Sequence, residues 1–175
     1  RSFGTTDGDR VYVSFLYQPG ANYGSYGGIQ FGGYPNQVFV GSPLGYYLYG
    51  FRVGRYGFTF SNVPETPGVT VFLVLEIQSL PATNQTAYRL FVGPTPGGLQ
   101  PNYPNADTIV AGSPLPAALT LLNDGGVTTD EIRIGTTWAS VTPTPACPGD
   151  LNHDRTVDLS DLATLLTHFG VANGA

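Results

Sequence analysis

Short alternating segments separated by turn residues constrain this chain more than any other feature. Nine stretches place apolar residues at every second position, as half-buried strands do. They are VYVSFLYQ (11–18), GGIQFGG (27–33), QVFVG (37–41), YYLYGFRV (46–53), YGFTFS (56–61), VTVFLVLEIQ (69–78), AYRLFVG (87–93), ALTLL (118–122) and DEIRIG (130–135). With Gly 24 and Pro 15 among 175 residues, turns are abundant. The pattern predicts an all-β antiparallel sandwich, with a barrel as the alternative, and no helix before Asp158.

The chain changes character after its last predicted strand. Residues 150–161, DLNHDRTVDLSD, carry oxygen-bearing side chains at loop positions 1, 3, 5, 9 and 12, the spacing of a calcium-binding loop. The predicted Ca²⁺ ligands are the side chains of Asp150, Asn152, Asp154, Asp158 and Asp161 and the carbonyl of Thr156. A solvated acidic turn that only caps a helix is the simpler alternative, but capping needs one such residue rather than five in register.

A short amphipathic helix is predicted directly after this loop. Its apolar residues fall on one stripe at helical spacing. A helix of about a dozen residues is marginal in water, so another surface must cover this stripe. That surface belongs to the chain's own body, to a neighbouring copy or to another protein. We therefore predict a docking face made of Leu159, Leu162, Leu165, Leu166 and Phe169.

The loop and helix together resemble one repeat of a type I dockerin, whose loop reads D-x-N-x-D-G-x-V-x-x-x-D. Asp161 at the last loop position, where an EF-hand has Glu, Val157 at position 8 and the following DLATLLTHFG carry the resemblance. Arg155 departs from it, because both families prefer Gly there and a positive φ costs another residue about 1–2 kcal/mol. The resemblance implies bound Ca²⁺ and a protein partner, either another copy or a cohesin-like receptor. A complete dockerin pairs two repeats, whereas one is present here.

Four further motifs extend the resemblance over almost the whole chain. VSFLYQP, GGIQF, LFVGPTPGG and DEIRIGTTWASVTP are similar to the LamG-like, concanavalin A-type jelly rolls of exported planctomycete proteins, in which a Pro/Thr linker and a CPGD motif precede a single dockerin-like repeat. The resemblance implies a jelly-roll β-sandwich over 1–139, a linker over 140–147 and a dockerin-like repeat over 148–175. It also implies strands upstream of Arg1, which would leave the first strand partly unpaired unless another segment completes it.

Composition narrows the compartment and the partners. The seven basic residues are all Arg and the net charge is −5, which disfavours nucleic acid. The longest dense apolar run, 69–77, is too short for a membrane span. A chain that lacks Met and opens at Arg1 is expected to be a processed, exported product, located outside the cell or on its surface. Cys147 has no second Cys to pair with in this sequence.

The residues of the body do not predict an enzyme. Retaining glycoside hydrolysis needs two carboxylates about 5–5.5 Å apart. The strand acids are Glu76, which we expect to pair with an Arg, and the neighbours Asp130 and Glu131, which point to opposite faces. His153 and His168 both lie in the tail, away from any nucleophile motif.

Two functions of different kinds therefore remain open from the sequence. The first is an extracellular structural or assembly protein, for example a fibre or surface-layer subunit, whose calcium-ordered tail docks on a neighbouring molecule. The alternative is a carbohydrate-binding module anchored by that tail. In the second case a polysaccharide would stack on exposed tyrosines, with Tyr23, Tyr26 and Tyr34 as the candidates.

Overall fold

The computed structural model describes residues 10–21, 26–33, 37–43, 46–112, 119–124, 126–144, 149–152 and 156–169. Ten strands and two α-helices lie within them: β1 Arg10–Gln18, β2 Tyr26–Phe31, β3 Val38–Ser42, β4 Leu48–Val53, β5 Phe58–Pro64, β6 Val71–Leu80, β7 Gln85–Val92, β8 Ala106–Ala111, β9 Leu119–Asp124, β10 Thr128–Gly135, α1 Trp138–Val141 and α2 Leu159–His168. The chain divides into two compact units, a body over Arg1–Pro143 and a tail over Thr144–Ala175.

The body is an antiparallel β-sandwich, which confirms the predicted all-β class. One sheet has the order β10-β1-β6-β7-β8 and the other the order β5-β4-β3-β2-β9. Alternate residues of both sheets face each other and form a single buried core that includes Phe15, Ile29, Phe51 and Leu75. All nine predicted strands are present with shifted ends. The tenth, β8, was missed because ADTIVA has only a weak alternation of apolar residues.

The prediction of no helix before Asp158 is wrong, because α1 forms one turn after β10. Trp138 and Val141 pack with Tyr12 and Phe91 in a second, smaller cluster on the outer face of the first sheet. The Trp138 indole makes edge contacts with both of those rings and donates a hydrogen bond to the carbonyl of Gly98 at 2.9 Å. Apolar burial, rather than helix length, therefore stabilises this turn.

This packing includes the first residues of the predicted linker. The hydroxyl of Ser14 donates a hydrogen bond to the carbonyl of Val141 at 2.5 Å, and the amide of Gly97 donates to the carbonyl of Thr142 at 2.7 Å. Both Val141 and Thr142 are buried. Residues 140–142 thus pack with the body, and residues 145–147 of the predicted linker lie outside the described residues.

Strand β1 is paired on both sides, since β10 supplies the second neighbour that the sequence left open. β1 pairs with β6 from Arg10 to Tyr17, and with β10 through a register shift between Ser14 and Leu16. The shift is a β-bulge in which Glu131 takes a left-handed φ of 53°. The carboxylate of Glu131 lies 2.5 Å from the guanidinium of Arg133. Among the described residues β10 is one of the two edge strands of its sheet, and β8 is the other.

The acid that the sequence singled out on β6, Glu76, is paired with arginine as expected. It is buried on the outer face of the first sheet, where it accepts a hydrogen bond from Arg89 at 3.1 Å and lies 3.5 Å from Arg10. The amide of Gln100 donates to its second oxygen at 2.8 Å. A buried carboxylate needs such partners, because an unpaired one would cost several kcal/mol. Glu76 is therefore held as a structural ion pair.

A row of glycines crosses the second sheet on its outer face. Gly28 pairs with Gly41, and Gly41 pairs with Gly50 in the next strand. The φ angles of Gly28 and Gly41 are 145° and 149°, which L side chains rarely adopt. A Cβ on Gly41 would lie 2.2 Å from the carbonyl oxygen of Gly27. The two backbones approach this closely only because neither residue has a side chain.

Aromatic rings lie beside this row and form what we call the outer aromatic strip. It consists of five rings and one cation: Tyr26, Phe39, Phe58, Phe60, Tyr46 and Arg52. Tyr26 stacks on Phe39 with ring centroids 5.1 Å apart, which buries Phe39 completely although it belongs to neither hydrophobic cluster. Phe39, Arg52 and Phe58 are directly opposite one another on successive strands. Half of the Tyr46 side chain, 50%, is exposed.

A carboxyl group is buried near one end of the sandwich core. Glu65 is 5% exposed, and its Oε1 has no hydrogen-bond partner among the described residues. It lies near Tyr17 and Tyr49, which are both buried, and Ser42 donates a hydrogen bond to it. Burial raises the pKa of Glu65, an effect that the Ser42 hydrogen bond only partly offsets, and burial also raises the pKa of Tyr49 to about 12.

We expect Glu65→Gln to stabilise the protein at neutral pH. The pKa of Glu65 is higher in the folded state than the ordinary 4.5, so the carboxyl favours folding below that pH and loses this contribution as the pH rises. Removing the charge should raise the free energy of unfolding at pH 7 by roughly 1 kcal/mol, the scale of one unsatisfied buried polar group. Urea unfolding across a pH series measures it. Asp107→Asn, at an exposed site, is the control, and a gain that persisted unchanged below pH 4.5 would contradict the assignment.

Candidate calcium loop and docking helix

The tail loop is closed by the carboxylate of Asp161. Its Oδ1 accepts hydrogen bonds from the amides of Leu151 at 2.6 Å and Asn152 at 3.1 Å, and its Oδ2 accepts one from the amide of Asp158 at 2.9 Å. Asp161 is 3% exposed. One side chain from the first turn of α2 therefore holds both the start and the end of the loop.

These three donors also fix the charge state of Asp161. The amide of Asp158 is the largest influence, followed among the donors by those of Asn152 and Leu151, and together they lower the pKa of the carboxyl below its usual 3.8. A carboxylate that accepts several backbone N–H bonds is stabilised in its ionised form. Asp161 is therefore negatively charged at any pH at which a metal would bind.

Asp158 starts α2 as its N-cap. Its Oδ1 accepts from the amide of Ser160 at 2.7 Å, and the Asp161 carboxylate accepts from the amide of Asp158, which completes a capping box. An acid thus caps the helix here, as the simpler alternative proposed. This capping bond uses Oδ1 of Asp158.

The predicted ligands fit calcium in chemistry, with one limit set by geometry. All are oxygen donors, which Ca²⁺ prefers. The described residues include Asp150, Asn152, Thr156, Asp158 and Asp161, whereas the ligand predicted at loop position 5, Asp154, lies outside them. Among the residues described, no three acidic, His or Cys side chains gather as a metal cluster. Among the described residues Oδ1 of Asp161 accepts two bonds and Oδ2 one, so this carboxylate has at most one lone pair for a monodentate contact.

The predicted docking face is exposed on α2 and the residue after it. Its exposed fractions are 81% for Leu159, 48% for Leu162, 48% for Leu165, 61% for Leu166 and 80% for Phe169. Two loop residues, Leu151 and Val157, are exposed as well. Contiguous exposed apolar side chains of this size mark interaction sites in soluble proteins. His168 ends the helix, and its side chain lies outside the described residues.

The candidate sugar-stacking tyrosines do not form a described platform. Tyr23 and Tyr34 lie outside the described residues. The ring of Tyr26 is half-buried against Phe39 in the outer aromatic strip. A stacked ring that already has a partner offers only its other face to a ligand.

Sequence reasoning missed two features of these surfaces. The closing role of Asp161 had a signal, because Asp158 and Asp161 have the spacing of a capping box. The outer aromatic strip also had one, since Phe58 and Phe60 alternate in YGFTFS on the face opposite to Thr59. Neither pattern predicts which strand or loop these residues will contact.

Comparisons with protein-family models, with curated proteins and with solved structures find no match, so the similarity to dockerin and LamG-like domains rests on the motifs quoted above.

Among the described residues, no helix has the length and apolar character needed to cross a membrane. Cys147 lies outside the described part of the chain.

Proposed function

We propose that this chain is an extracellular structural or assembly protein, in which a jelly-roll β-sandwich carries a calcium-ordered, half-dockerin-like tail that docks on a neighbouring protein molecule. The observation that carries the proposal is the exposed apolar face of α2. A one-helix unit gains little stability from its own contacts, so a face of five large apolar side chains calls for a partner.

The proposed role of calcium is structural. Bound Ca²⁺ would supply the positive charge that offsets the four Asp of the loop, while Asp161 holds the loop closed and Asp158 caps the helix that bears the docking face. Millimolar calcium outside cells is sufficient for weak sites of this kind. A loop that calcium has already ordered loses less conformational entropy when it docks. The affinity therefore rises without a new contact.

The energetics favour a weak single contact. Full burial of a Leu or Phe side chain is worth about 1.5–3 kcal/mol, and these side chains are already partly covered. Association costs about 4–15 kcal/mol in lost freedom. Five side chains therefore give modest affinity for one tail, and many tails in an array would be needed for a durable assembly.

Replacing Leu162 and Leu166 together by Asp should abolish docking. Both are exposed, so the change removes apolar contact area without disturbing a core. Sedimentation velocity of the full chain in millimolar calcium should show association for the wild type and monomers for the double variant. Thr164→Asp/Thr167→Asp adds the same charge to α2 outside the predicted docking face and serves as the matched control.

Chelation supplies the second arm of the test. Excess EDTA should weaken wild-type association by at least about tenfold, because the loop then loses its cation. Association that is unchanged in EDTA and also unchanged in the Leu162/Leu166 variant would overturn the proposed function.

A further inference from the structure

We infer that the tail docks on the outer aromatic strip of a second copy of this chain, an inference that rests on the proposed function and names its partner. The assembly is then head to tail, with the α2 face of one molecule against Tyr46, Phe58 and Phe60 of the next. Because this contact joins two different surfaces, it extends into an open chain unless the rotation closes a ring.

The first support is the apolar character of an outward face. In the first sheet the outer face is covered by α1 and its cluster with Tyr12 and Phe91. The outer face of the second sheet, on the opposite side of the sandwich, carries aromatic rings instead. Phe58 and Phe60 are half-buried and 6.0 Å apart, and Tyr46 lies 4.4 Å from Phe60 with half its surface exposed. Aromatic side chains of this kind are enriched at the centres of protein interfaces.

The second support is charge. Residues 147–175 contain four Asp and one Arg, a net charge of −3, and one Ca²⁺ would leave it at −1. The strip contains a cation, Arg52, whose guanidinium lies over the Phe58 ring at 4.9 Å. Within the described residues Arg52 has no carboxylate partner, and its buried Nε has no acceptor. An acidic, apolar tail matches a surface that is aromatic and positively charged.

Charge also separates this surface from the other apolar region of the body. This region lies at the β9 and β10 edges, where three apolar residues are partly exposed although their strand partners face the core. The exposed fractions are 39% for Leu119, 54% for Leu121 and 39% for Ile134. β10 carries Asp130 and Glu131, both exposed. Arg133 pairs with Glu131, so the charged side chains of β10 sum to −1, which repels an acidic tail, whereas Arg52 attracts it. The strip is therefore the better acceptor.

A mixing experiment tests the inference with full-length chains in millimolar calcium. Tyr46→Asp damages the strip and leaves the tail intact, while Leu162→Asp/Leu166→Asp damages the tail and leaves the strip intact. Each variant alone should be monomeric by sedimentation velocity. Their mixture should give a one-to-one complex that stops at two molecules, because only one pair of undamaged surfaces remains.

Two further variants locate the contact. Arg52→Gln should weaken wild-type self-association about tenfold or more, and the weakening should shrink at high salt because the guanidinium acts by charge. Leu121→Asp, matched to Tyr46→Asp in exposure but placed on the β9 edge, should leave self-association unchanged. Circular dichroism and unfolding curves confirm that each variant is folded.

The outcomes separate this inference from the proposed function. If the tail variant is monomeric while Tyr46→Asp and Arg52→Gln both associate like the wild type, the tail docks elsewhere: the inference fails and the proposed function stands. Loss of association in Leu121→Asp alone would assign the contact to the β9 edge and also overturn the inference. A wild-type chain that stays monomeric in calcium excludes a second copy as the partner. A tail variant that associates like the wild type, with and without EDTA, removes the proposed function as well.

Discussion

Asp161→Ala should open the tail loop and unfold the start of α2, even without calcium. The substitution removes two acceptor oxygens that together accept three hydrogen bonds, from the amides of Leu151, Asn152 and Asp158. It also removes half of the capping box, and a ten-residue helix has little other support. Hydrogen exchange by NMR should show loss of protection at these three amides and along α2. Calcium affinity should fall in the same variant, because the loop no longer holds its shape.

Asp150→Asn is the matched control for Asp161→Ala. It removes one charge from the other end of the loop but leaves the three bonds to Asp161 in place, so protection in EDTA should persist while calcium affinity falls. The pH dependence gives a second check. The folded pKa of Asp161 lies below 3.8, so its contribution is present above that pH and is lost as the pH falls through the lower value. Protection equal in wild type and Asp161→Ala would show that the loop is closed by other groups.

Gly41→Ala should strongly destabilise the sandwich. A methyl group there would meet the Gly27 carbonyl oxygen at 2.2 Å and the Gly28 Cα at 2.7 Å, and both are backbone atoms that cannot rotate away. The φ of 149° adds strain for any L side chain. We expect a loss of roughly 2–4 kcal/mol in the free energy of unfolding by urea. Phe39 and Tyr26, stacked beside the glycine row, should become more exposed in fluorescence quenching experiments.

Gly57→Ala provides the reference for this measurement. No atom lies within 4 Å of its Cβ position, and its φ is outside the left-handed region. The substitution should be neutral or slightly stabilising, by up to about 1 kcal/mol, since alanine restricts the unfolded chain. Similar unfolding free energies for the two variants would mean that β2 and β3 are less closely apposed than the Gly28–Gly41 pair requires.

The strands were predictable because their signal is local. Alternation in VYVSFLYQ or VTVFLVLEIQ identifies a strand without knowledge of its neighbours, and Asp158 before an apolar stripe identifies the start of α2. Strand order was not predictable, because β1 lies between β6 and β10, which are distant in sequence. The same limit applies to Glu65, whose burial depends on strands that meet only in the folded body, and to α1, whose single turn is stabilised by Tyr12 and Phe91.

The candidate site divides in the same way. The register of acids along 150–161 is a property of one short segment, and so the loop could be recognised directly. The hydrogen bonds from the loop amides to Asp161 could not be predicted, because they depend on the path of the backbone around it. The outer aromatic strip joins residues from four strands and from the segment before β4, and only the paired register of β2, β3, β4 and β5 brings them to one face.

The bulge at Glu131 has a consequence for solubility. An exposed edge strand is a template on which another chain can add a strand, and this is a common route to aggregation. The left-handed residue interrupts the regular spacing of β10, and Asp130, Glu131 and Arg133 place charges along it. A foreign strand would have to match an irregular backbone and desolvate those charges. If the proposed docking brings molecules together, this edge keeps them as separate folded units rather than letting them fuse into a continuous sheet.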